Sequence, residues 1–446
     1  MGIALLCVYS LLIAWAASRA GRQDGSAAAF FVNNRSSGAL EVASSIIASC
    51  IGASATIGMI GMAFAVGTPA FWWLGAGAVG LVPLSLLLAR KVRESGAYTM
   101  PQLAERFFGS AARLLLSIVI IVAWMAILAA QFTALAEVIR MLTGWPRILC
   151  LALGFLFICL HSLGGQAAIM RLDRLQTAIL FASLLVMLSW LSVHNPSWPD
   201  RMLVQAVNSE FPPEKLLYFL VVVGANYLVC PMLFGRLFSA RDGKSARLGG
   251  ILAAGGIAVC ALLIVALGLA CRGLIPADTA RDAVLTRILS DVLPFWMLAP
   301  VALALLSAIV SSADSCLVTA ATVFSHDLLK RSDPAACRAC VLVLGLAGMG
   351  LSLWGKSIIA FLLMAYDIYA CGVVGPVFIG LVLEGRRRVD SRFACAAVAI
   401  GGALGLAAAL IDLAALSYAG ISAAVLITLA GALGRSGNHP VESSFW

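Results

Sequence analysis

Charge is what this 446-residue sequence has least of: Asp, Glu, Lys and Arg make up 11% of it, while 62% is apolar. A soluble domain carries about twice that share of charge, so a water-soluble globular fold is excluded, and a mean hydropathy of +1.01 places the chain in a bilayer. Histidine is scarce as well. The four, His161, His194, His326 and His439, are isolated from one another, and Ser325, His326 and Asp327 cannot act as a triad because adjacent helical residues point apart. No enzymatic constellation stands out. Paired metal ligands are missing too: the 12 cysteines lie mostly in apolar segments as small hydrophobes, and Cys337 and Cys340 have no second Cys/His pair nearby to make a zinc or redox site.

What the chain has instead is long apolar runs. Segments near the length that spans a bilayer lie at residues 1–18, 40–66, 70–89, 112–141, 146–163, 172–193, 213–239, 247–272, 294–325, 336–354, 357–383, 393–411 and 415–434. They predict an all-α polytopic membrane protein of about 13 transmembrane helices. The first segment lacks a basic n-region, and Ala17, Ser18 and Ala20 make a weak cleavage site, so it reads as a leading helix over 1–20 rather than a signal peptide. With the N-terminus outside, the inner loops hold 22 of the 30 Lys and Arg, Arg236 among them, which predicts a multi-pass protein of a cell inner (plasma) membrane with a short cytoplasmic tail over 435–446. The net charge of +9 then faces an anionic leaflet and implies no nucleic acid partner.

Along the chain, polar groups inside the apolar runs are few and therefore informative. The second segment carries a small, polar patch, Gly52, Ala53, Ser54, Ala55, Thr56 and Gly58, which suits either close helix packing or a locally unwound stretch facing a cavity. In the fourth, Gln131 lies deep enough to face a cavity, whereas Glu137 near the outer end is expected to pair with Arg140. Asp173, between Arg171 and Arg174, reads by itself as a solvated carboxylate at the cytoplasmic edge. Gly224, Asn226, Tyr227 and Pro231 interrupt segment 213–239, and Asp367 is buried in 357–383 unless that face lines water. Two interrupted helices that open successive five-helix blocks, 40–193 and 213–384, point to an inverted-repeat transporter, with two trailing helices over 392–434. Short amphipathic helices are expected in the loops after residue 90 and between 272 and 293.

The densest oxygen cluster lies between Leu305 and Lys330, where Ser311, Ser312, Asp314, Ser315, Thr319 and Thr322 crowd one apolar run. A carboxylate at such depth is costly unless a cation or hydrogen-bond partner meets it. Ala308, Ser311 and Ser312 put one carbonyl and two hydroxyls on one helix face, the hard oxygen set that sodium prefers, and carbonyls of Ala53 and Thr56 would complete five ligands. Asp314 and Ser315, one turn on, could hold a second cation or a proton. Hydroxyls that merely bond the carbonyl four residues back are the plainer reading.

The pieces FFVNNRSSG, SIIASCIGASATIGMIGMAF, YTMPQLAERFFG, GGQAAIMRLDRLQTAI, PMLFGRLFSARDGKSA and AIVSSADSCLVTAATVFSHDLLK follow one another in an order that resembles the sodium:solute symporter family. The resemblance implies a leucine-transporter architecture: one leading helix, a five-plus-five inverted repeat and two trailing helices. It implies the same sodium site at Ala53, Thr56, Ala308, Ser311 and Ser312, a second cation site at Asp173, Asp314 and Ser315, and an aromatic gate at Tyr227. Ser54, Gln131, Asn226 and Asp367 complete the candidate substrate and gate residues. The expected function is sodium-coupled import of a small polar solute such as an amino acid, vitamin or organic acid, with sodium and the lipid bilayer as partners and no required protein partner. A proton-coupled transporter of the same fold and a membrane sensor acting with a separate signalling protein are the alternatives. No arginine stands clearly inside the membrane to fix a solute carboxylate.

Overall fold

The computed structural model describes Tyr9 and residues 26–433 apart from 202, 203, 385 and 386. The leading helix, Tyr9 excepted, and the tail over 435–446 lie outside the described residues. The remaining apolar runs each become a helical element. They are α1 (Ala39–Cys50) and α2 (Ser54–Val66), α3 (Thr68–Glu94), α4 (Ser110–Thr143), α5 (Arg147–Ser162), α6 (Gly165–His194), α7 (Pro213–Ser239), α8 (Gly243–Ala270), α9 (Phe295–Leu328), α10 (Pro334–Ser352), α11 (Ile358–Leu383), α12 (Ser391–Ile411) and α13 (Ala414–Leu433). Among the described residues ten of these are long and apolar enough to cross a membrane alone, and α1 with α2 makes an eleventh across a 64° bend. The expected 13 is thus reached only in part, because α5 has 16 residues, short of a full span, and the leading helix is undescribed.

Helix starts follow local chemistry. Asp242 accepts the Ser245 amide at 2.7 Å to open α8, and Asp333 accepts the Ala336 amide at 2.9 Å to open α10. Those backbone hydrogen bonds hold both carboxyls below their usual range. The loop helices form as expected: in Met100–Phe108 the face with Leu103, Ala104, Phe107 and Phe108 is buried, and in the helical run over 281–292 Val284, Leu285, Ile288 and Leu289 are buried. Glu137 and Arg140 pair at 3.3 Å on the exposed C-terminal end of α4.

Packing repeats itself between the two halves. α3 packs on α7 as α8 packs on α1; α4 packs on α11 as α9 packs on α6; and α4 packs on α10 as α9 packs on α5. The start of α1 meets the end of α7, where the Ser37 amide donates to the Ser239 carbonyl at 3.0 Å and the Arg241 amide to the Ser37 carbonyl at 2.8 Å. The two interrupted helices therefore run antiparallel, side by side. α9 is the most enclosed helix, with 94% of its most apolar stretch buried, so its polar residues must find partners inside the protein. α12 and α13 pack on each other and on α11.

Candidate functional site

The site starts from a broken helix. α1 ends at Cys50; Ile51 takes φ −101° and ψ 79°, and the chain restarts as π-type turns over Ser54–Gly58. The last carbonyls of a helix have no amide one turn ahead. Here the serines of α9 serve them: Ser311 Oγ lies 3.0 Å from the carbonyl oxygens of both Ala48 and Ala308, and Ser312 Oγ lies 3.3 Å from that of Ala48 and 3.0 Å from that of Ser49. The close approach depends on Gly52, since a Cβ there would come within 2.6 Å of Ser312 Oγ. Two hydroxyls and three carbonyl oxygens thus meet at the negative end of α1 with no formal charge among them.

Ala53 and Thr56, the other two residues of the sequence-based set, sit one turn further along. The Ala53 amide donates to Gln131 Oε1 at 3.2 Å, and Thr56 Oγ1 bonds the carbonyls of Gly52 and Ala53 at 3.0 and 3.4 Å. The carbonyls that actually face Ser311 and Ser312 belong to Ala48 and Ser49.

Asp173, Asp314 and Ser315 are not brought into one cluster. Asp173 is fully buried rather than solvated at an edge. It accepts a 2.5 Å hydrogen bond from Ser45 and lies 3.8 Å from Nη2 of Arg236. Arg236, grouped by sequence with the inner-loop residues, is itself fully buried in the second half of α7, inside the fold and not in a loop. Its guanidinium donates to Ser45 at 3.2 Å, to Ser49 at 2.8 Å, to Ser315, and to the Met232 carbonyl at 3.4 Å. Asp314 turns the other way, to His161 Nδ1 at 3.1 Å and to the Ser162 hydroxyl at 3.2 Å, at the end of α5.

Beside the break lies a cavity of about 50 Å³, between α1, α4, α7, α9 and α11. Ser54, Gln131, Asn226 and Tyr227 line it together with Ser49 and Ser312, so it adjoins the oxygen cluster. α7 also breaks at this level, with Val229 and Cys230 extended and Pro231 opening the next helix, where its missing amide costs nothing. Asp367 stands apart from the cavity: it accepts from Tyr218 at 2.9 Å and from Ser417 of α13 at 2.7 Å, while the neighbouring Tyr366 lines the cavity.

The sodium:solute symporter family model matches residues 30–346. The chain belongs to that family. Its symporter relatives include sodium/glucose cotransporter 4 of Danio rerio, 22% identical over 77% of this chain and 60% of that protein. The sodium/pantothenate symporter of Haemophilus influenzae is 24% identical over 69% of this chain and 67% of that one. The chain therefore spans less than two thirds of the length of the glucose cotransporter it matches. Among solved structures, a Na+-coupled sialic acid symporter in a substrate-bound outward-open state superposes with a TM-score of 0.83 at 15% identity, covering 99% of this chain and 98% of that one. A nucleobase-cation-symport-1 family transporter in a closed conformation gives 0.64 at 16% identity, covering 90% and 93%. The whole symporter fold is thus shared with the former, inverted repeat included.

Within this symporter frame, sequence reasoning singled out the α9 serines, and four of its five candidate substrate and gate residues line the cavity; it did not single out Ser45, Ala48, Ser49, Arg236 or His161. A signal was present: Ser45 and Ser49, four apart, put two hydroxyls on one face of α1.

Proposed function

We propose that the chain is a sodium-coupled symporter that imports a small polar solute by alternating access. The observation that carries the reading is the meeting of Ser311 and Ser312 with the orphan carbonyls of Ala48 and Ser49 at the break between α1 and α2. Sodium would be held by the carbonyls of Ala48 and Ala308 and the hydroxyls of Ser311 and Ser312, in place of the Ala53 and Thr56 carbonyls of the sequence-based set. A neutral oxygen set suits a hard cation that must also be released. The ion bridges α1 and α9, one helix from each five-helix block, so binding it favours the arrangement in which the adjoining cavity is formed. That linkage is reciprocal: solute must strengthen sodium binding by the same factor.

Arg236 supports a single coupled sodium, because a fixed positive charge already engages Asp173 and Ser315. A charge-to-solute ratio corresponding to two cations in voltage-clamped proteoliposomes would overturn that stoichiometry. The blocks 40–193 and 213–384 are proposed as the two repeats, and the N-out, C-in orientation in an inner (plasma) membrane is proposed on the Lys/Arg distribution.

The primary test is Ser312→Ala in reconstituted uptake. Losing one coordinating oxygen from a bound cation is expected to cost as much as a hydrogen bond to a charged group, about 1.5–3 kcal/mol, so the sodium concentration for half-maximal uptake is expected to rise at least about tenfold. An unchanged sodium activation curve removes the site.

A further inference from the structure

We propose that Gln131 of α4 is the positioning residue that holds the break between α1 and α2 open for sodium; this rests on the symporter reading above. In an unbroken helix the Ala53 amide would donate to the Ser49 carbonyl, four residues back. Here that bond is severed, and each end has found a side chain on a different helix. The carbonyl meets Ser312 Oγ of α9 at 3.0 Å, and the amide donates to Gln131 Oε1 of α4 at 3.2 Å.

Each partner protects the other. A buried amide without an acceptor is costly, so with Gln131 Oε1 removed the remedy nearest to Ala53 is the Ser49 carbonyl, and taking it back deprives Ser312. By accepting the Ser312 hydrogen, that carbonyl leaves the hydroxyl lone pairs to face the cation. The effect of Gln131 on the ion thus runs through Ser49 to Ser312, one of the four ligands proposed above. The packing fits this role. Gln131 is 3% exposed, and a Cβ at Gly52 would meet Ser312 Oγ at 2.6 Å and Gln131 Nε2 at 3.0 Å, so the two side chains close on one backbone position from two helices.

The test follows sodium alone, as the rise in melting temperature of the purified full chain when sodium chloride replaces choline chloride at constant ionic strength. Gln131→Met keeps the side-chain length and removes the acceptor; its half-saturating sodium concentration is expected to rise about fivefold, the worth of one neutral hydrogen bond. Gln131→Glu keeps an acceptor for the Ala53 amide and is expected to bind sodium no more weakly than the parent. No loss in Gln131→Met, or an equal loss in both variants, overturns the inference. A cycle with Ser312→Ala decides it without the added carboxylate. Because Gln131 acts through Ser312, Gln131→Met should add less than about twofold to the Ser312→Ala loss, and full multiplication of the two losses overturns the inference. A parent that sodium does not stabilise defeats the sodium reading and this inference with it, whereas a responding parent matched by Gln131→Met defeats only the role of Gln131.

Discussion

Two polar regions meet on α9, and they handle depth in the membrane differently. At Ser311 and Ser312 the protein gathers hydroxyls and orphan carbonyls with no formal charge; at Ser315, one turn on, it buries a guanidinium and a carboxylate and matches them to each other. The neutral cluster has oxygen lone pairs to offer a visiting cation. The charged cluster holds its guanidinium and carboxylate 3.8 Å apart, with Asp173 Oδ1 left without a hydrogen-bond partner, and its serine hydrogen bonds tie α1, α6, α7 and α9 together. On the proposed reading, the ion site lies at a helix end whose carbonyls lack amides and not at the buried carboxylate.

The contrast can be broken most forcefully at Arg236. Arg236→Ala leaves Asp173 buried without its countercharge, and breaking such a pair costs about 3–5 kcal/mol; thermal melting of the purified protein is expected to drop sharply. Arg236→Met combined with Asp173→Asn should recover most of that loss, and a single variant as stable as the parent would show the tie is not structural.

Next in size is Gly52→Ala. The added methyl meets Ser312 Oγ at 2.6 Å, so α1 and α9 must separate. Overpacking of this kind costs about 1–3 kcal/mol, and sodium activation should shift with stability; a variant that melts lower yet keeps its sodium curve would uncouple the close approach from the site.

Asp367→Asn tests whether the residue set apart from the cavity belongs to the gate. The amide can still accept from Tyr218 and Ser417, so stability should change by less than about 1 kcal/mol and solute KM should stay as it is. A raised KM would return Asp367 to the transport path. Smallest of all is Glu137→Gln: an exposed pair such as Glu137 and Arg140 contributes about 0.2–1 kcal/mol, and melting should barely move.

Much of this was legible in residue order. Apolar run length set most helix ends to within a few residues, although α6 starts at Gly165 and not at 172; the paired interruptions at Gly52 and Pro231 marked the two broken elements, and the loop helices were readable from their spacing. The serines of α9 were legible because positions three and four apart share a face. Their partners were not. Spacing says which residues of one helix lie together, yet not the register in which a second helix meets them, and Ala53 and Thr56 lie about one turn from the carbonyls in contact. Arg236 was misread for a related reason: a basic residue near the end of an apolar run looks like a loop charge until Asp173, Ser45, Ser49 and Ser315 are seen around it.

Composition and periodicity by themselves determined that this chain lies in a membrane, folds as helices and breaks two of them, because each follows from the length and spacing of apolar residues along one dimension. Which carbonyls face Ser312 and which charge answers Asp173 were decided only by tertiary packing. Those are contacts between residues 63 to 264 positions apart, and nothing local in the chain encodes them.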